Sequence, residues 1–422
     1  MYTGSKRARY LRATDDVLAG GLTPKSAQLK LFVKFEKLSP AKVNPDPRAI
    51  QFRDAKYCVA LGRYLKPVEH VVYRFRGDGK HFPASRLIGK GLSQAARAKL
   101  LVRKFSRFVR PVVIGVDARR FDLHVSLELL QIEHSVYMMC LNHPEFQELL
   151  NQQLRSTGVT SKGIRYSMRG RRASGDFNTA SGNCILMVLM CSAFLSGKRY
   201  ELLDDGDDCL ILIEEDDLSW LLANIGPAFL EFGMEIKVES VARTLEHVLW
   251  CQSRPIQYEP GKYKFVRDPW KVLSTAMSGV KYVDSDKARR KLINTIGMAE
   301  LVLNLGVPVL QEFATAMMRN AATPDSIVLD STDSLSYKVS LELKAMNLRQ
   351  LERLDPRPIT DAARESFAIA FNISVEEQLE LEEFLANWAF STSGAEFLTD
   401  DYDVATWQRL SHTTSEAWPL RE

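Results

Sequence analysis

Asp117 closes a short β-rich run, Val112 to Val116, and Asp207 and Asp208 stand at the tip of an acidic turn, Asp204-Asp205-Gly206-Asp207-Asp208. That turn separates two apolar runs, Tyr200 to Leu203 and Cys209 to Ile213, which is the pattern of a hairpin. Adjacent strands lie about 4.8 Å apart. If Asp117 sits beside the hairpin, the three carboxylates can converge on two hard cations roughly 3.5–4 Å apart, an arrangement suited to phosphoryl transfer. Oxygen ligands and phosphate substrates suit Mg²⁺ or Mn²⁺, two ions in all. A Gly-Asp-Asp triplet by itself is more often just a solvated turn. The apolar flanks weigh against that, because like charges held against a core are costly without a compensating cation.

Asp122 follows Asp117 by five residues, where it can face the sugar of a bound nucleotide and accept a hydrogen bond from a 2′-hydroxyl; read alone, it is equally a helix N-cap. Ser174, Thr179 and Asn183 run from a Gly-flanked polar loop into the first turn of a helix, and Asn183 is a second candidate contact to that sugar. Arg48 and Arg53, near Lys56, lie in a segment of β character where guanidinium groups can clamp phosphate oxygens. Lys237 can protonate a leaving pyrophosphate, or merely pair with Glu235 or Glu239.

The elements that must position these groups follow from periodicity. Leu123 to Tyr137 has helical spacing, Ser161 to Asn178 reads as a polar loop, and Ala180 to Leu195 is apolar nearly all round, as a core helix is. Asp216 to Phe232 reads as a helix and Met234 to Glu239 as a strand, with a predominantly helical region from about Val272. No internal repeat or Gly/Ser linker interrupts the chain. Boundaries fall near 110 and 255.

With 422 residues, 45% of them hydrophobic, the chain can bury a large core across two or three subdomains. It lacks an 18-residue apolar run and any export signal, and its six cysteines show neither zinc spacing nor the density of a disulfide scaffold, so a reducing cytosol is expected. The net charge of +4 conceals an asymmetry: Met1 to Arg110 carries 25 Lys+Arg against 7 Asp+Glu, leaving 31 against 45 for the rest. Such a basic third suits a polyanion, bound through its backbone and more weakly as salt rises. Phe371 to Glu422 is acidic, with 11 acidic and 2 basic residues.

In this order the segments resemble the polymerase motifs of positive-strand RNA viruses, specifically the tombusvirus-like group. FVKFEK (Phe32 to Lys37) and PRAIQFRDAKY (Pro47 to Tyr57) resemble the fingers motif that contacts incoming nucleotide, and GRYLKP (Gly62 to Pro67) and RKFSRF (Arg103 to Phe108) continue the match. DARRFDLHVS (Asp117 to Ser126) is similar to motif A, RYSMRGRRASGDFNTASGN (Arg165 to Asn183) to motif B and DDGDD (Asp204 to Asp208) to motif C. FGMEIKVE (Phe232 to Glu239) resembles motif D, and LWCQSRPI (Leu249 to Ile256) the primer-grip motif E. The resemblance covers residues 1 to about 275; beyond it only a helical, thumb-like character is evident.

It implies an α+β right-hand polymerase with a closed hand: fingers at 1–110, a palm with an antiparallel RRM-like sheet and an inserted fingers segment at 111–255, and a helical thumb with an acidic tail at 256–422. Asp117, Asp207 and Asp208 would hold the metals; Asp122 and Asn183 would select ribose. Ser174, Gly175 and Thr179 would line the template and nucleotide side, Arg48 and Arg53 would meet the triphosphate, and Arg165, Cys251 and Gln252 would contact RNA. The implied partners are a single-stranded RNA template, nascent RNA and ribonucleoside triphosphates. An upstream viral replication protein would bring the chain to host membranes, at replication complexes in the cytoplasm. Arg119 and Cys58 depart from the serine and asparagine common there, and the chain opens close to the fingers, where family replicases carry a long membrane-targeting region.

Three rivals differ in what they would require. A reverse transcriptase usually has a bulky aromatic in place of Asp122, a silent RNA-binding subunit would not keep three metal carboxylates, and a metal-dependent nuclease has no use for a sugar-selecting pair.

Overall fold

The computed structural model describes residues 4–34, 47–276, 285–324, 334–346 and 355–390. The last three residues of FVKFEK and the acidic stretch beyond residue 390 lie outside the described residues. In chain order, helix α1 (Gly4–Gly20) precedes strands β1 (Leu29–Val33) and β2 (Ala49–Phe52) and helices α2 (Ala55–Arg74) and α3 (Gln94–Phe105). Strand β3 (Pro111–Arg119) leads into helices α4 (Phe121–His124), α5 (Leu127–Cys140) and α6 (Pro144–Leu154). Then come strands β4 (Arg155–Thr160) and β5 (Arg165–Arg169), helix α7 (Thr179–Phe194), strands β6 (Glu201–Asp204) and β7 (Asp208–Glu214), helix α8 (Leu218–Glu231) and strand β8 (Glu235–Ala242).

Chain contacts separate two units, Met1–Gly91 with Arg103–Arg243 and Leu92–Val102 with Thr244–Glu422. In the first, β6-β7-β3-β8 form an antiparallel sheet in that order. Alternate residues on its strands, Val112, Ile114 and Val116 with Cys209, Ile211 and Ile213, share one buried cluster with Cys184 to Val188, Met190 and Cys191 of α7, with Leu195 just after it, and with Leu221, Ile225 and Phe229 of α8. Helix α7 is apolar all round because it is enclosed: Ser181 to Val188 are all buried. Each fully buried Leu or Val there contributes about 1.5–3 kcal/mol relative to exposure.

A second sheet, β2-β1-β4-β5, joins the N-terminal strands to residues more than a hundred positions later, with β1 and β4 parallel and the outer pairs antiparallel. The polar loop expected at Ser161 to Asn178 is therefore corrected in its first part. Residues 165–169 are a strand, Tyr166 and Met168 alternating with charged or polar neighbours on a half-solvated edge. Leu123 to Tyr137 likewise divides into two helices, α5 starting anew at Ser126, whose side chain accepts from the Leu129 N–H.

The second unit contains a hairpin of β9 (Ser253–Glu259) and β10 (Lys262–Arg267), which precedes the helical region expected from about Val272. Helices α9 (Pro269–Thr275), α10 (Asp286–Asn304), α11 (Leu310–Ala321), α12 (Ser334–Ala345), α13 (Asp361–Phe371) and α14 (Val375–Asn387) follow. Ile256, Val266, Phe313, Phe367 and Leu385 anchor its core. Buried Lys264, pulled down to about 8 by burial, donates to the carbonyls of Leu303 (3.3 Å) and Leu305 (3.0 Å) at the end of α10. No helix among the described residues is long and apolar enough to cross a membrane.

Candidate active site

At one end of β3, Asp117 faces Asp208 of β7 on one side and Lys237 of β8 on the other, as directly opposed partners. The Asp205 N–H donates to the Asp208 carbonyl (2.9 Å) to close the β6–β7 turn, and the Ala118 N–H donates to the Asp207 carbonyl (3.2 Å), tying the turn to β3. Gly206 sits at φ +102°, a conformation that side chains disfavour, and a Cβ there would lie 3.6 Å from that of Asn183. The turn thus abuts α7.

Two devices missed in the sequence hold this turn. Residues 87–89 run beside β6: the Asp204 N–H donates to Leu87 O and the Gly89 N–H to Asp204 O, each at 2.8 Å. From the next position Lys90 donates to the Asp205 carbonyl (2.8 Å) and ion-pairs with its carboxylate. Burial pulls the Lys90 pKa down, but Asp205 outweighs it and leaves the ammonium firmly charged. Replacing Lys90 by Met, which keeps the stem and loses the charge-assisted bonds, is expected to cost about 2 kcal/mol. An unchanged urea midpoint would contradict that assignment. Asp204, first of the acidic run, is fully buried; burial drives its pKa up, and its carboxyl accepts from the Gly206 N–H (3.1 Å).

Around Asp117 like charges accumulate. Burial, then Glu239 and Asp207, push Asp117 up to about 6; burial, then Asp207, Asp117 and Glu239, push Asp208 up to about 7. Glu239 is a fourth carboxylate that periodicity did not single out. The β3–β8 register jumps from Gly115–Ser240 to Val116–Val238, so Glu239 is the bulged residue, and bulges re-aim side chains at the ends of sheets. Lys237, exposed, opposes this charge at Asp117. Among the described residues no three His, Cys, Asp or Glu side chains are gathered closely enough to hold a metal ion as they stand. The donors nevertheless fit a hard divalent cation: they are all carboxylates, come from adjoining strands, and carry a mutual repulsion that such an ion offsets.

Asp122 lies in α4, entered through Arg120 at φ 48°, and so is not an N-cap. Asn183 Nδ2 donates to Asp122 Oδ1 (2.9 Å), bringing together the two residues expected at the sugar. Burial raises the Asp122 pKa, partly offset by Asn183, Arg172 and Arg48, which brings exposed Arg48 into the field of this pair.

Arg53, expected to meet a triphosphate, is engaged within the protein. Its side chain is buried and bonds Asp176 (2.7 Å from Nε), Ser156 of β4 (2.8 Å from Nη2) and the Ala27 carbonyl, so it ties the end of β2 to β4 and to the loop before α7. Ser174 bonds the β2 backbone, donating to Ala49 O (3.3 Å), and the Gly175 N–H donates to Gln51 O (2.7 Å). A Cβ on Gly175 would come within 2.6 Å of that same oxygen, so the glycine permits the approach. Thr179 opens α7 and donates to Ala173 O and Asp176 O, both at 3.0 Å. Arg165 is exposed at the start of β5. Cys251 and Gln252 belong to the second unit, both left-handed (φ 50° and 57°) in a tight turn closed by Trp250 and Ser253, with Gln252 accepting from Lys271.

Comparison with known proteins gives this geometry a lineage. Residues 1–393 match the model of the family described as viral RNA-dependent RNA polymerase. The chain is 34% identical over 403 residues to the RNA-directed RNA polymerase of oat chlorotic stunt virus, covering 92% of this chain and 53% of that protein. It is 35% identical over 407 residues to that of melon necrotic spot virus (93% and 50%) and 35% over 405 residues to that of maize chlorotic mottle virus (93% and 41%). The chain therefore spans about half the length of the relatives it matches. An opposed carboxylate pair on a four-stranded antiparallel sheet, a matching family model across nearly the whole chain and tombusvirus relatives at this identity agree: the chain belongs to the viral RNA-dependent RNA polymerase family, within its tombusvirus-like group.

Proposed function

We propose that this chain copies a positive-strand viral RNA genome, joining ribonucleoside triphosphates on a single-stranded RNA template through two divalent ions, Mg²⁺ or Mn²⁺. The observation that carries the reading is the opposition of Asp117 and Asp208 across β3 and β7, with Asp207 on the connecting turn and the Asp122–Asn183 pair close by. Asp117, Asp207 and Asp208 are the residues that would hold the ions. When bound, such ions lower the pKa of a 3′-hydroxyl and neutralise charge on the leaving pyrophosphate. Asp122 accepts a hydrogen bond from the 2′-hydroxyl, Arg48 meets phosphate oxygens, and Lys237 donates the proton that the pyrophosphate takes up.

In this reading the sheet β6-β7-β3-β8 is the palm, the sheet β2-β1-β4-β5 belongs to the fingers, and the helices of the second unit form the thumb. An upstream replication protein and the host membranes it occupies are the further partners, at cytoplasmic replication complexes. Incorporation of labelled ribonucleotides by the purified chain on single-stranded RNA tests the reading. Synthesis with Mg²⁺ or Mn²⁺, abolished by chelation and restored by excess ion, is expected. Cleavage without synthesis would make the chain a nuclease instead, and silence with the fold intact would deny it polymerase activity on its own.

A further inference from the structure

Beneath the Asp122–Asn183 pair lies a buried ion pair that neither the motifs nor the family comparison singles out. Arg172 touches both members: its backbone N–H donates to the Asp122 carbonyl (2.9 Å) and its Nε to Asn183 Oδ1 (3.1 Å). A guanidinium can only donate, so Asn183 must turn its oxygen to Arg172 and its amino group to Asp122. Arg172 is fixed in turn by Glu133 of α5, with Nη1 on Oε1 (3.1 Å) and Nη2 on Oε2; the two side chains are 1% and 0% exposed. Glu133 Oε1 also accepts from Asn178 (2.7 Å), whose own oxygen takes a bond from Gln153 (2.8 Å). The pair presses on the α7 backbone one residue before Asn183: a Cβ on Gly182 would lie 2.3 Å from Glu133 Oε1 and 2.5 Å from Arg172 Nη2.

Building on the polymerase reading, we propose that the Glu133–Arg172 pair sets the sugar specificity of the site. It locks the Asn183 amide in the one orientation that holds the Asp122 carboxylate for a nucleotide's 2′-hydroxyl, so that 2′-deoxynucleotides are disfavoured. Arg172 and Glu133 are positioning residues and touch no substrate. Asp122 without this support swings between rotamers, and the ribose contact weakens while phosphate contacts stay.

The test compares ATP with 2′-deoxyATP on the full chain, as the ratio of kcat/KM in RNA-templated incorporation and as the ratio of affinities by titration calorimetry. Arg172→Lys keeps the charge beside Glu133, but an ammonium has no fork to serve Glu133 and Asn183 together. It is expected to cut the ribose preference about tenfold, the scale of one lost charge-assisted hydrogen bond, mostly in KM for ATP. In an Asn183→Ala background the same change should alter the ratio by less than about twofold, since residues acting through a shared contact are not additive. A second variant, Arg172→Met with Glu133→Leu, guards against misfolding because replacing both partners of a buried pair with apolar groups preserves stability. It too should lose the preference. A folded variant of either kind that keeps the parental ratio overturns the positioning role and leaves the polymerase reading standing. A parent that makes no RNA overturns the polymerase reading, and calorimetry then decides the positioning role: a ribose preference lost in the variants supports it, and no preference in the parent overturns it.

Discussion

Asp117→Asn is expected to abolish RNA-templated synthesis by about 10³-fold or more while making the metal-free chain more stable at pH 8. In the proposed two-ion reading the loss follows from removing a ligand worth several kcal/mol of transition-state stabilisation, at about 1.36 kcal/mol per tenfold. The gain follows from the carboxylates' own repulsion. Burial and like charges hold Asp117 at about 6 and Asp208 at about 7, above their ordinary value near 4 in an unfolded chain. Between those limits the folded state binds more protons than the unfolded one, so their contribution is fully present below about pH 4 and is lost as pH rises through 6 to 7.

Melting in chelator should therefore fall more steeply with pH for the parent than for Asp117→Asn, with the variant higher by on the order of a few degrees at pH 8. Added Mg²⁺ should raise the parent's melting temperature more at pH 8 than at pH 5.5, since the ion competes with those protons. If the variant melts no higher than the parent in chelator, the carboxylates are not held against their repulsion. A site that stores such repulsion exchanges stability for function.

Glu133→Ala alone should destabilise the first unit by about 3–5 kcal/mol, because it strands the Arg172 guanidinium in a place 1% exposed. The paired change Arg172→Met with Glu133→Leu should cost far less, as no unpaired charge or desolvated fork remains. Since two units need not unfold together, amide exchange in α5 and α7 is the appropriate reading, with protection falling sharply in the single variant and little in the double one. Equal loss in both would mean that Glu133 stabilises through Asn178 and Gln153, with which it shares a buried network, rather than through its charge.

Much of the site was legible without coordinates. Val112 to Val116, Cys209 to Ile213 and the all-round apolar Ala180 to Leu195 each declare their element within sixteen residues, since side-chain period is a local property. Asp117, Asp207 and Asp208 fall at the ends of those elements, so strand pairing suffices to bring them to one edge. What sequence reading misjudged was the fate of charge. Arg53 looked like a phosphate clamp and is an internal tie to Asp176, 123 residues away; Lys90, counted only within the basic third, holds the acidic turn, and Arg172, unremarked within the Arg165 to Asn183 segment, holds the Asp122–Asn183 pair.

By itself, then, the sequence determined the elements that carry Asp117, Asp207 and Asp208, those three aspartates and the family resemblance, because each is written in short-range pattern and residue type. Only the tertiary structure decided which charges stay exposed, as Arg48 and Lys237 do, which are buried as struts, as Arg53 and Arg172 are, and that Glu239 is the bulged residue whose charge acts on Asp117. Those choices rest on register and on partners distant along the chain, where burying one charge becomes tolerable only when packing delivers its counterpart.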